Sequence, residues 1–169
     1  MARIIRSKKI NEQSKNRYNM AQWFETKVRY DKTMDNGSIK KVTEAYMVDA
    51  LSFTEAEARI SEEIAHFTSE FSVSAVKRTK IAEIFREKTG DKWYLVKVAF
   101  ITLDEKTAVE KKSISQILVA ADSFKEAYDN FMEGMKGTMA DFEINTIQET
   151  LIMDVYDADL SGDDKKPQE

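Results

Sequence analysis

Two stretches of the sequence set an indole and cations at strand spacing. Trp23, Lys27 and Arg29 fall on one parity of a single segment, and Trp93 and Lys97 repeat the arrangement seventy residues later. If Phe24, Val28 and Tyr30 face a core, that set shares the opposite side of the strand. An aromatic ring for stacking a base, beside a cation for its phosphate, is the smallest platform for single-stranded nucleic acid. Lys40-Lys41 and Lys111-Lys112, on the partner strands, add charge to it. The candidate nucleic-acid-binding residues are therefore Trp23, Lys27, Arg29, Lys40, Lys41, Trp93, Lys97, Lys111 and Lys112. Lys77, Arg78 and Lys80 extend the set in the first stretch, whereas Gln148, Glu149 and Leu151 stand at the matching places in the second. The competing reading is that each Trp closes the end of a core and each Lys is simply solvated.

Other chemistries find little material. There is no Cys, hence no thiol nucleophile, disulfide or thiolate metal site, which fits a reducing, cytoplasmic setting. The single His66 has Gly137 as its counterpart and no nucleophile or acid at a telling spacing. Adjacent carboxylates such as Glu62-Glu63 point different ways and do not make an acid–base pair. No Gly-rich phosphate loop occurs. Gly134 and Gly137 read as the end of a helix. Asp157 to Gly162 imitates the start of a calcium loop, but the twelfth position is Gln168 where a bidentate Glu belongs. We expect no catalytic residue, no cofactor and no metal.

The elements that must position these residues come from a duplication. Trp23–Tyr30 aligns with Trp93–Phe100 at an offset of 70, and Lys40-Lys41 aligns with Lys111-Lys112 at 71. Val48–Ala56 aligns with Val119–Ala127, and Phe71–Phe85 with Phe142–Tyr156, also at 71. Identity at 14 of 34 aligned positions, held in nearly one register, makes chance an inadequate explanation. Each copy begins with an alternating strand. Asp35-Asn36-Gly37 then marks a hairpin turn in the first copy and Asp104–Thr107 a longer one in the second. A second strand follows over about 42–49 and 114–121. Ser52 and Ser123, three residues before Glu55 and Glu126, open helices as capping boxes. Phe53, Ala56, Ile60 and Ile64, like Phe124, Ala127, Phe131 and Met135, make a core stripe at helical spacing. The last block is apolar on both parities, which predicts a strand with a bulge or two-sided burial over a short helix. The fold class is α+β, an internal duplication of a ββαβ unit with antiparallel-rich sheet and helices on one face.

Charge divides the chain further. The 169 residues carry net −4, yet residues 1–22 carry six cations against Glu12 and residues 157–169 carry five carboxylates against two lysines. The middle is therefore acidic, unlike the basic body of a bulk polyanion binder. The expected organisation is a basic N-terminal extension over 1–19, repeats over 20–88 and 89–156, and an acidic tail over 157–169. No apolar run approaches the roughly 18 residues that cross a bilayer, and residues 1–13 lack a signal-peptide pattern.

Trp23-Phe24, the block from Val48 to Ala58, Phe100 to Lys106 and Glu133 to Asp141 resemble a family of short bacterial and phage-associated proteins of unknown function. The likeness covers about residues 20–156, with Met20-Ala21-Gln22-Trp23 similar to its usual start. It implies no catalytic residues, and its mobile-element setting implies nucleic-acid work. The functional expectation is a non-enzymatic binding protein, either for single-stranded nucleic acid or, as an adaptor or phage structural factor, for protein. The acidic tail or an exposed sheet face would serve a protein partner. Leu95, on a nominally exposed face, hints that the outer surface of the second copy is covered, by the first copy or by another subunit in an oligomer.

Overall fold

The computed structural model describes residues 22–157. The chain forms β1 (Gln22–Thr33), β2 (Ile39–Ala50), α1 (Phe53–Ala65), β3 (Phe71–Arg78) and β4 (Ile81–Phe85). It then repeats the series as β5 (Lys92–Leu103), β6 (Glu110–Ala121), α2 (Phe124–Gly134), β7 (Asp141–Glu149) and β8 (Ile152–Tyr156). The result is α+β, with two mixed four-stranded sheets, each with one helix, in a repeated ββαβ-like arrangement.

Each sheet is built on a long antiparallel hairpin. Gln22 pairs with Ala50 and Thr33 with Ile39 in the first, and Lys92 with Ala121 and Leu103 with Glu110 in the second. The first turn differs from a two-residue Asn-Gly hairpin. Of its residues only Gly37 has positive φ, at 79°, and a five-residue loop is closed by Met34 N–H on Ser38 O and Gly37 N–H on Met34 O. Asn36 Oδ1 accepts from Ser38 N and Oγ, so the Asn acts through its side chain instead of its backbone.

Both helices start as the sequence predicts. Ser52 accepts from Glu55 N–H and Ser123 from Glu126 N–H, while the two glutamates reach back to the amides of Leu51 and Asp122. Alternation on the strands and helical spacing on α1 then meet in one core of Phe24, Val28, Tyr46, Val48, Ala56, Ile60 and Ile64. The second core holds Val96, Val98, Ile117, Val119, Phe131 and Met135. Burying each large side chain of this kind contributes about 1.5–3 kcal/mol. Phe53 and Phe124 are exceptions to the predicted stripe. Both lie at the helix start and stay half exposed or more, Phe53 making an edge-to-face contact with Phe24 at 5.1 Å.

The last block of each copy is strand, with the expected bulge. Pairing with β3 shifts register between Lys27 and Val28, and pairing with β7 between Lys97 and Val98. The block is not one strand, however. It breaks after Thr79 and Thr150, and its end crosses to the other sheet. The strand orders are β3-β1-β2-β8 and β4-β6-β5-β7. Strand β4, from the first copy, runs parallel to β6 of the second, with Ile81 against Gln116 and Phe85 against Val119. The two copies thus exchange their last strands. Of the described residues, 80–153 form one compact unit and 22–79 with 154–157 the other. The unit boundary falls at Thr79/Lys80 because the apolar end of the first repeat has its pairing partner in the second.

Candidate binding face

Each sheet has a face turned to its helix and an outer face opposite. On the first sheet, β1 sends Phe24, Thr26 and Val28 to the helix and Trp23, Glu25, Lys27 and Arg29 outward, as alternation predicts. The exposure of the indoles is otherwise. Trp23 is 9% exposed and Trp93 7%. Met47 on the first outer face and Leu118 and Ala120 on the second are also buried. This corrects the expectation of two rings open to stack a base: parity gives the direction in which a side chain leaves, not whether that part of the face is covered. The backbone at each indole is held as well. Thr79 N and Oγ1 donate to Trp23 O at 3.0 and 2.8 Å, and Thr150 N and Oγ1 to Trp93 O at 2.9 and 2.8 Å.

The cations sort by parity. Lys27 and Arg29 are exposed neighbours on the outer face of β1. Lys27 lies between Ala45 on β2 and Ala75 on β3, and Arg29 between Thr43 and Ser72. Neither has an ion-pair or side-chain hydrogen-bond partner among the described residues. Lys41 joins the same face next to Asp31, 4.0 Å from its Oδ1. Lys77, opposite Glu25, adds a cation at the β3 margin.

Lys40 belongs to the other face, directly across from Lys32, so the Lys40-Lys41 pair does not act as one patch. Lys111 and Lys112 split in the same way. Lys111 pairs with Asp104 at 3.3 Å on the helix side, and Lys112 with Glu143 at 2.8 Å on the outer side. Lys97 is exposed between Gln116 and Thr146. Where the first sheet has Arg29 beside Ser72, the second has buried Ala99 beside Glu143. The nine candidates therefore do not form two equivalent platforms. Lys27, Arg29 and Lys41 come together on one cationic face, and the corresponding face of the second copy is close to neutral.

A polar cluster on the helix side of the first sheet was not anticipated. Tyr30 and Tyr46 both donate to Glu44 Oε2, at 2.7 and 2.8 Å, and Lys32 Nζ lies 3.4 Å from Oε1. Burial pushes Glu44 up, but the two phenol hydrogen bonds and the Lys32 ammonium outweigh it and hold the carboxyl below its ordinary value. Burial and the same carboxylate push Tyr30 up to about 12 and Tyr46 higher still. Tyr156 on β8 stacks on Tyr46 at 5.9 Å. A carboxylate held ionised and phenols held protonated have no proton to exchange near neutral pH, so the cluster acts as a latch joining β1, β2 and β8. Glu44 and Tyr46, two apart on β2, meet Tyr30 only through the β1–β2 register, which the sequence alone does not give. The second copy has Ser115 and Ile117 there, with Phe85 in place of Tyr156.

Among the described residues no three His, Asp or Glu side chains form a group that could hold a metal ion. None of the helices described is long and apolar enough to cross a membrane. The basic extension over 1–19 and the tail over 157–169 lie outside the described residues except for Asp157, whose carbonyl accepts from Arg59 Nη1 at 3.4 Å.

Residues 22–158 match the family model of a domain of unknown function, DUF4494, and the chain belongs to that family. No curated protein matches it.

Proposed function

We propose that the protein is a non-enzymatic binding protein of the adaptor kind, which receives an acidic, extended segment of a partner protein on the outer face of its first sheet. The observation that carries this reading is the pair Lys27 and Arg29, exposed side by side without an ion-pair partner among the described residues, with Ala45, Ala75, Thr43 and Ser72 beside them. Small neighbours let a backbone approach closely, and the hydroxyls add hydrogen-bonding capacity. A single exposed ion pair contributes about 0.2–1 kcal/mol, so Lys41 and Lys77 at the margins are needed for affinity and steering. Single-stranded nucleic acid is the weaker occupant: the buried indoles supply no stacking surface, which leaves phosphate contact alone. The phage or mobile-element setting implied by the resemblance suits either occupant.

The test is fluorescence anisotropy with two labelled probes, a short Glu/Asp-rich peptide and a short oligothymidylate. The reading expects peptide binding that weakens with salt and is lost in Lys27→Glu/Arg29→Glu. Tighter binding of the oligonucleotide, lost in the same variant, replaces it with the nucleic-acid reading. No binding of either probe overturns both.

A further inference from the structure

Helix α2 presents an apolar stripe that α1 does not. Phe124, Tyr128 and Met132 follow at steps of four residues and are 59%, 45% and 37% exposed. Steps of four put side chains on one slowly drifting line of a helix surface, beside the stripe of Ala127, Phe131 and Met135 that enters the core. The first copy has Phe53, Glu57 and Ser61 at the corresponding places, and Ser61 turns its hydroxyl back to Glu57 O at 2.7 Å. One scaffold thus carries an ordinary solvated helix face in one copy and three contiguous hydrophobic side chains in the other. Such a stripe is the signature of a helix that packs against another helix.

The charges beside the stripe select the occupant. Lys125 stands at the N-terminal end of this face and the carboxylate of Asp129 follows one turn on, while that of Glu133, two turns on, is paired with Lys136 Nζ at 2.7 Å. Lys125 and Asp129 have no ion-pair partner among the described residues. We infer that α2 is a self-association surface, on which a second copy of this chain packs its own α2 antiparallel about a two-fold axis near Tyr128. That arrangement sets Phe124 of each copy toward Met132 of the other and lays each Lys125 beside the partner's Asp129. It is the self-complementary pattern that a two-fold interface requires. A parallel arrangement would bring like charges together at both ends. A single three-turn helix is a small surface, so the association is reversible and concentration-dependent. The inference involves the second unit and is independent of the cationic face of the first sheet.

Sedimentation equilibrium on the full chain tests it. The weight-average mass is expected to rise from 19.5 kDa toward twice that value as concentration increases from micromolar to millimolar. Tyr128→Glu/Met132→Ser, which installs the first copy's own surface residues, is expected to remain monomeric with an unchanged circular dichroism spectrum and unfolding midpoint. Lys125→Glu is expected to raise the dissociation constant about tenfold or more. Adding Asp129→Lys to Lys125→Glu is expected to restore association, because the cross-helix pair of residues 125 and 129 is then reversed as a whole. A foreign partner for the stripe, or indiscriminate apolar association, does not produce that rescue. A wild-type chain that is monomeric throughout, association that survives Tyr128→Glu/Met132→Ser, or a charge reversal that fails to restore it each overturns the inference.

Discussion

The amide and the hydroxyl of Thr150 both donate to the carbonyl oxygen of Trp93, at 2.9 and 2.8 Å. Thr79 makes the same two bonds to Trp23. Each Thr stands just past the end of one strand, before the chain leaves for the other sheet, so the pair of hydrogen bonds fixes the point of departure. The Thr150 hydroxyl also accepts from Ile152 N–H at 3.3 Å. Thr79→Val keeps the amide bond, loses the hydroxyl bond, and is expected to cost about 0.5–1.5 kcal/mol. Thr150→Val is expected to lose the bond from the Ile152 amide as well. Urea denaturation of both variants beside the Ser substitutions, which keep the hydroxyl, checks the loss.

Gly134, expected from sequence to end its helix by a left-handed turn, instead makes room for a ring. A Cβ there would lie 2.5 Å from Phe85 Cδ2 and 3.0 Å from Cγ, while the left-handed position falls to Gly137 at φ 84°. Gly134→Ala is expected to destabilise by about 1–3 kcal/mol through overpacking. Phe85→Leu in the same chain is expected to recover part of that loss, giving a non-additive cycle in thermal or urea unfolding.

Glu44 sets the acid side of stability. Its folded-state carboxyl titrates below the ordinary value, so the stabilisation it gives is complete above that value. It is lost as pH falls through the lower, folded-state value. Glu44→Gln is expected to lower stability at neutral pH by about 1.5–3 kcal/mol, the range for hydrogen bonds to a charged group, and to make the acid limb shallower. On the alkaline side Tyr30, raised to about 12, makes stability fall as pH climbs above the ordinary tyrosine value of 10.0. Unfolding free energies across pH, wild type against Glu44→Gln, measure both limbs.

The two indoles report their own burial. Trp emission is expected to lie on the blue side, to resist acrylamide, and to be unquenched by short oligonucleotides. Red-shifted emission quenched by oligothymidylate would contradict the burial of Trp23 and Trp93 and return stacking to consideration.

Self-similarity at one offset located the duplication, and local signals located the hairpins, the two Ser caps and the bulged last strand, because each of those depends on neighbours within a few residues. Parity also gave the direction of Trp23 and Lys27, but Lys40 and Lys41, read together as charge on one platform, leave the strand on opposite faces. Coverage was not legible. Whether an outward Trp is exposed depends on what packs over it from afar, and Leu95 was the lone hint. The crossing of β4 and β8 was invisible for the same reason: Ile81–Phe85 is apolar enough for any sheet, and nothing local names its partner. The Tyr30–Glu44–Tyr46 latch joins three residues that look unremarkable until the register β1 to β2 is known.

The traded end strands have a bearing on inheritance. A fragment ending at the close of either repeat keeps a strand whose place is elsewhere and lacks the one that seals its own sheet. The two halves therefore cannot be lost, expressed or shuffled separately, and the smallest portable form of this domain is the tandem pair.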